Sequence, residues 1–287
     1  TTIELDHPDI YPTLAAYRAP FEELARCIPT QGALVLGTDD SECRRLAEHA
    51  NGMVRTYGER ADCEWRISER EMDDRFQHFR LDTPYGPREV TLSFPGRHNA
   101  HNATAALALA DFLGAPLDTC LAACADFRGA GRRFQQAGDV GGVTVIDDYA
   151  HHPTEVAVTI AAAQQRFPGR RLIAVHTPHT YSRTLALVDD YRHSFAGADV
   201  VMLGPVDAAR ERGCPVTVTS EDVAQRVREG TGQETIVVAS SDEAIERLVA
   251  MSRPGDVVLI LSLVGFDKIA NRLVDALRAP SKEPVPG

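Results

Sequence analysis

The sequence predicts an α/β protein in two parts, the second a doubly wound, mostly parallel sheet. Three observations carry this. From residue 143 on, five apolar runs (VTVID, RLIAVH, DVVMLG, ETIVVA and DVVLILS) alternate with helical segments. Such alternation builds a parallel sheet with helices on both faces. The runs are apolar at nearly every position rather than at every second one, as strands covered on both faces must be. Before them lies "RGAGRRFQQAGDVGG", rich in glycine and polar residues, which sets a boundary near residues 129–140 and two domains, 1–131 and 132–287.

In the first part, "LAAYRAPFEELARCI" (14–28) has apolar residues at helical spacing. "ALVLG" (33–37) is a buried strand, "SECRRLAEHA" (41–50) a helix and "MVRTYG" (53–58) another strand. Residues 62–94 alternate around the turn signal "TPYGP" and predict a short antiparallel ribbon. "NATAALALADFLG" (102–114) is a helix ended by Gly114, and "PLDTCLAACADF" (116–127) a helix with proline near its start. The opening "TTIELDHPDIY" reads as the tail of a strand, so the chain is expected to begin inside a domain. In the second part, helices are predicted over PTEVAVTIAAAQQRF, SRTLALVDDYRHSF, SEDVAQRVREG, SDEAIERLVAMS and DKIANRLVDALRA, and the tail "PSKEPVPG" should be loose.

The 287 residues afford two domains with cores of ordinary size. A net charge of −11 argues against nonspecific nucleic-acid binding, which needs a positive field. It leaves room for a phosphate ligand, since a few arginines and helix N-termini suffice. Lys268 and Lys282 are the only lysines, so the cationic chemistry is arginine chemistry, suited to gripping carboxylates and phosphates. The six cysteines form no CxxC pair and no signal peptide is visible, which points to a reduced, cytoplasmic setting. No apolar run is long enough for a transmembrane helix.

Ligands of doubly wound sheets bind outside the carboxyl ends of the strands. Three successive strands deliver polar residues there. "VIDDYAHHPTEV" (145–156) brings Asp147, Asp148, Tyr149, His151 and His152; "HTPHTYSRT" (176–184) brings His179, Tyr181 and Arg183; "GPVDAARER" (204–212) brings Arg210 and Glu211. Each has a plainer reading: a capped helix start with solvated histidines, a polar loop capped by Ser182, an exposed ion pair. Asn99 and Asn102, three apart at a helix start, can donate to and accept from the edge of a flat heterocycle, or merely cap the helix. His7 in "ELDHPD" is a candidate metal ligand or a structural histidine. Neither GxxxxGK[ST] nor GxGxxG occurs, so this chain builds no Walker-type phosphate cradle by itself.

Taken in order, "TIELDHPDIY", "FPGRHNAHNATAALALA", "FRGAGRRF", "VIDDYAHHPTEV", "PHTYSRT" and "DAARE" resemble the Mur ligase family, the ATP-dependent amino-acid ligases of peptidoglycan synthesis, and most closely its alanine-adding branch. The resemblance implies the second half of the central ATPase domain followed by a Rossmann-like C-terminal domain. The P-loop and the UDP-binding domain would lie in a missing N-terminal part of the same polypeptide. It implies ATP and Mg2+ (or Mn2+) as cofactors and UDP-N-acetylmuramate and L-alanine as substrates, joined through an acyl phosphate. By position, His7 matches a metal ligand, Asn99 and Asn102 the pair near the adenine, and Arg133 and Asp148 the residues reaching ATP phosphates and ribose. His151, His152, His179, Tyr181 and Arg183 match the face receiving the amino acid and the acyl end, with Arg210 beside them. The chain departs from the family pattern at Thr177 and Thr180, where Gln and Arg are usual, and at Leu263-Val264-Gly265, where a glycine turn is usual. Three alternatives stay open: a recycling ligase adding a tripeptide, a non-catalytic binding module, and a metal-dependent hydrolase using Asp147, Asp148, His151 and His152.

Overall fold

The computed structural model of the protein describes residues 1–208, 211, 218–263, 266 and 268–279. They fall into two compact units, Thr1–Gly129 and Ala130–Gly287.

The first unit is a five-stranded sheet in sequence order: β1 (Ala33–Gly37), β2 (Met53–Gly58), β3 (Trp65–Met72), β4 (Gln77–Thr83) and β5 (Gly86–Leu92). β1, β2 and β3 pair parallel; β3, β4 and β5 pair antiparallel. The ribbon expected over 62–94 is thus an extension of the main sheet. It joins through Tyr57 and Trp65, both fully buried. Helices α1 (Leu14–Cys27), α2 (Ser41–Arg45), α3 (Arg97–Phe112) and α4 (Leu117–Asp126) complete the unit. The inward side chains Trp65, Ile67, Phe79, Leu81 and Val90 pack on Ala100, Leu107 and Ala108 of α3.

Two expectations change here. Residues 1–7 form no strand; Ile3 is buried against Leu36, Cys43 and Leu46. α3 starts at Arg97, five residues before the predicted Asn102. Gly96 makes the early start possible: at φ 101° it turns the chain, and its carbonyl accepts the first helical N–H groups and the buried amide of Gln77.

The second unit is a six-stranded sheet of order β10-β9-β8-β11-β7-β6. β7 (Val143–Asp148), β8 (Leu172–His176), β9 (Val200–Leu203), β10 (Glu234–Val237) and β11 (Val257–Leu261) are parallel, and β6 (Gln135–Val140) is an antiparallel edge. β6 lies inside the segment read as a polar boundary. Gly141 and Gly142, both at positive φ, close a tight hairpin that folds this polar stretch back on β7. Alternate strand residues serve alternate faces. Ile146, Ala174, Val201 and Leu259 meet α5 (Pro153–Arg166), α7 (Tyr191–Ser194) and α8 (Ser220–Thr231). Val145, Ile173, Met202 and Val258 meet α9 (Ser241–Met251) and α10 (Ile269–Arg278).

The helix expected over 182–195 is two pieces, α6 (Tyr181–Ala186) and α7, parted by a turn in which Asp190 N–H donates to Leu187 C=O. The break lets Tyr191 and Phe195 enter the core while Arg183 stays at the sheet edge. The cap of α6 is Thr180, not Ser182. The tail 280–287, Arg210 and the Val264-Gly265 turn lie outside the described residues.

Candidate active site at the carboxyl edge of the second sheet

β11 returns to lie between β7 and β8, so the strand order reverses there. Leu261 is in register with both Asp148 and His176. The crevice outside such a reversal is where open α/β sheets bind ligands, and Asp147, Asp148, His151 and His176 stand at the strand ends beside it.

Asp148 closes β7 with only 5% exposure. Its carboxylate accepts the backbone N–H groups of Phe134 (2.7 Å) and Ala150 (2.8 Å). Burial pushes its pKa up to about 6, against those two bonds and the charge of Arg133. His152 is buried and serves as N-cap of α5: its Nδ1 accepts the Thr154 N–H, while Glu155 reaches back to the N–H groups of His151 and His152. His151 leans on the Tyr149 carbonyl through Nδ1 (3.0 Å), and its ring meets those of Tyr149 and His179 edge-on.

The next loop is zipped to the one after β9. His179 bridges to Asp207, and Thr180 N–H donates to Asp207 C=O while Asp207 N–H donates to Pro178 C=O. Thr180 sits at φ 58° and caps Arg183. Ser182 is bound through its N–H and hydroxyl to Glu211, so the carboxylate read as an exposed ion-pair partner is a loop tie. Arg183, 3% exposed, lies 3.4 Å from His179 Nδ1. Tyr181 opens α6, half-buried.

In the first unit, Asn99 and Asn102 stand on the first turns of α3. Asn99 donates to the Pro95 carbonyl, and Asn102 is exposed. Beside them Arg97 pairs with Asp39 (3.0 Å) and Glu59 (2.9 Å), and His101 Nε2 lies 3.6 Å from both carboxylates. Asp39, Glu59 and His101 have metal-ligand spacing, yet the Arg97 guanidinium already bridges the two acids and offsets one of their two charges. Burial, then Arg97, lowers the His101 pKa. His7 sits at φ 52° in a turn, its N–H on Asp6 and its half-exposed ring 3.7 Å from that carboxylate. The Asp6 carboxylate is an oxygen donor suited to a hard divalent ion that takes its other ligands from water and phosphate, and the His7 imidazole is a softer donor beside it.

The sequence matches two family models, the Mur ligase middle domain over residues 1–110 and the Mur ligase glutamate ligase domain over residues 132–263. The chain belongs to the Mur ligase family. It is 42% identical to the UDP-N-acetylmuramate–L-alanine ligase of Chloroflexus aggregans, over 99% of this chain and 63% of that protein. It is 37% identical to the enzyme of the same name from a Roseiflexus species, over 97% and 62%. Among solved structures, the UDP-N-acetylmuramate–alanine ligase of Thermotoga maritima superposes with a TM-score of 0.70 at 25% identity, over 94% of this chain and 56% of that one. This Mur ligase chain therefore spans about three fifths of the length of these curated relatives.

Sequence reading missed two residues of this Mur ligase edge. His176, read as the end of an apolar strand, is fully buried with Nδ1 on the Leu261 carbonyl (3.0 Å) and Nε2 on the Tyr191 hydroxyl (3.2 Å). A carbonyl only accepts, so Nδ1 carries the proton and Nε2 accepts from Tyr191. Burial pushes its pKa down to about 3, and the ring is a neutral brace. The second is Arg132. The signal for it was present in the paired arginines of "GRRF". No helix among the described residues is long and apolar enough to cross a membrane.

Proposed function

We propose that this chain is the greater part of an ATP-dependent, cytoplasmic UDP-N-acetylmuramate–L-alanine ligase. A P-loop and nucleotide-sugar site would be carried by a portion of the polypeptide outside it, as the greater length of its relatives suggests. The carrying observation is the edge where Asp148, His151, His179 and Arg183 converge beside the reversal of strand order. In this reading, residues 1–131 are the second half of the ATPase domain and 132–287 the C-terminal ligase domain.

The substrate carboxylate attacks the γ-phosphorus of ATP; ADP leaves and an acyl phosphate forms. The L-alanine amine then attacks the acyl carbon, phosphate leaves with the C–O bond electrons, and the nitrogen gives up one proton to the departing phosphate or to solvent. On the first unit, Asn99 and Asn102 read the adenine edge. A divalent cation, Mg2+ or Mn2+, supplies charge neutralisation where two anions must meet, and His7 with Asp6 are the donors this unit offers it. On the second, Arg133 and Asp148 take phosphate and ribose. His151, His179, Tyr181 and Arg183, with Arg210, hold the acceptor's carboxylate and the acyl end by charge-assisted bonds. His152 acts by fixing the turn that presents His151.

The test is ADP release by the full-length gene product with ATP, UDP-N-acetylmuramate and either L-alanine or a tripeptide. ADP release with L-alanine and a product mass raised by one alanine residue are expected. Preference for the tripeptide would make it the recycling ligase. Ligand binding without ADP would make it a binding module, and metal-dependent hydrolysis without ATP a hydrolase.

A further inference from the structure

We propose that Arg132 is a positioning residue of this edge: its guanidinium fixes Tyr149 and the end of β11, and so sets where Arg133 can meet an anion. The proposal rests on the ligase reading for the identity of that anion, an ATP phosphate.

Arg132 adopts φ 55°, the left-handed region that a non-glycine residue holds only under outside restraint. The restraints are concrete. Nη2 donates to the Ser262 carbonyl (2.6 Å) and Nη1 to the Leu263 carbonyl (3.1 Å), just past β11. Nε donates to the Asp147 carboxylate (3.1 Å), near the end of β7. The Arg132 carbonyl accepts the Tyr149 N–H (2.9 Å). One residue thus fastens the ends of the two strands that meet at the switch point. It also satisfies carbonyls that have left the sheet ladder. Only arginine does this: its planar fork offers several donors in fixed directions, whereas a lysine ammonium is a single point on a flexible stem.

The neighbouring arginine has the opposite character. Arg133 is exposed, and its guanidinium makes no hydrogen bond or ion pair among the described residues. Its placing contact is the Tyr149 ring, 5.0 Å from the guanidinium carbon, while the Arg132 carbon lies 5.2 Å from the same centroid. Two like charges on one ring repel each other. The Asp147 carboxylate and the two carbonyls hold Arg132 there and compensate its charge, leaving Arg133 as the cation available to a ligand. The paired arginines of "GRRF" are therefore one anchored and one presented.

The test uses Arg132→Lys and Arg132→Met in the full-length enzyme. Both should lower kcat/KM for ATP by about 10- to 100-fold while KM for the amino acid stays within about twofold. Arg132→Lys should recover little, because charge alone does not reach two carbonyls. A purely structural role would lower the melting midpoint and leave the kinetics of the folded fraction unchanged; that result overturns the proposal, as does an equal rise in every KM. If the parent enzyme releases no ADP, the ligase reading has failed, and hydrogen exchange of the parent decides the placement instead. Faster exchange at the Tyr149 and Ser262 amides in Arg132→Met upholds it, and unchanged exchange overturns it.

Discussion

Asp39 and Asp148 invite comparison: each follows or closes a parallel strand, and each accepts two backbone N–H groups. Asp39 takes those of Glu59 and Arg60, and Asp148 those of Phe134 and Ala150. Their surroundings then diverge. Asp39 is part-exposed and shares Arg97 with Glu59. Burial would raise the Glu59 pKa, but the bond and charge of Arg97, with His101, outweigh it and leave it lowered. Asp148 is buried, has no guanidinium in hydrogen-bond contact among the described residues, and its pKa is raised to about 6. The same pair of backbone bonds ties down the loop after β2 in one unit; in the other it opposes the burial that raises the carboxyl's pKa. What separates structural from reactive carboxylate here is the counter-charge and the solvent, not the residue type.

The largest expected effect tests the reactive side. Asp148→Asn should cut kcat/KM for ATP about 100-fold with the fold retained; steady-state kinetics with circular dichroism check it. Parent-like kinetics would move Asp148 to the structural class.

The pH dependence sharpens the same contrast. A carboxyl raised from its ordinary value of 3.8 to about 6 keeps its proton in the folded state where the unfolded chain has lost it. Its contribution to stability is full below about pH 4 and is lost as pH rises through about 6. Relative to Asp148→Asn, the parent's melting midpoint should fall over that interval. A parallel pair of curves would refute the raised value.

On the structural side, Gly58→Ala should destabilise by about 1–3 kcal/mol. Gly58 is at φ 148°, and a Cβ there would lie 2.7 Å from an Asp39 carboxylate oxygen. Chemical denaturation of the full-length protein measures it. The smallest effect belongs to Arg97→Met. Arg97 is half-exposed, and exposed ion pairs are worth at most about 1 kcal/mol, so denaturation and KM for ATP should barely change. A large loss in KM alone would show that the cluster orders Asn99 and Asn102 for the nucleotide.

Much of this architecture was legible. The five apolar runs became five parallel strands; burial on both faces erases alternation in β7, β8, β9 and β11, while β10 at the sheet edge is only partly buried. The deviations share one cause, contacts distant in sequence. α3 begins early because Gln77, from a separate strand, reaches the Gly96 carbonyl. The helix over 182–195 breaks because Tyr191 must meet His176. β6 looked like a linker because an edge strand tolerates a polar face, and only pairing with β7 makes it a strand.

By itself, the sequence determined the parallel sheet, the motif order and the strand ends where function gathers, since these follow from local periodicity and chain direction. Tertiary structure alone decided which titratable groups are braces and which are presented: His152 as a cap, His176 as a neutral buried strut, Glu211 as a loop tie, Arg132 anchored beside Arg133 exposed. The reason is physical. A side chain's charge and freedom depend on the solvent and partners around it, and those partners are supplied by segments far away in the chain.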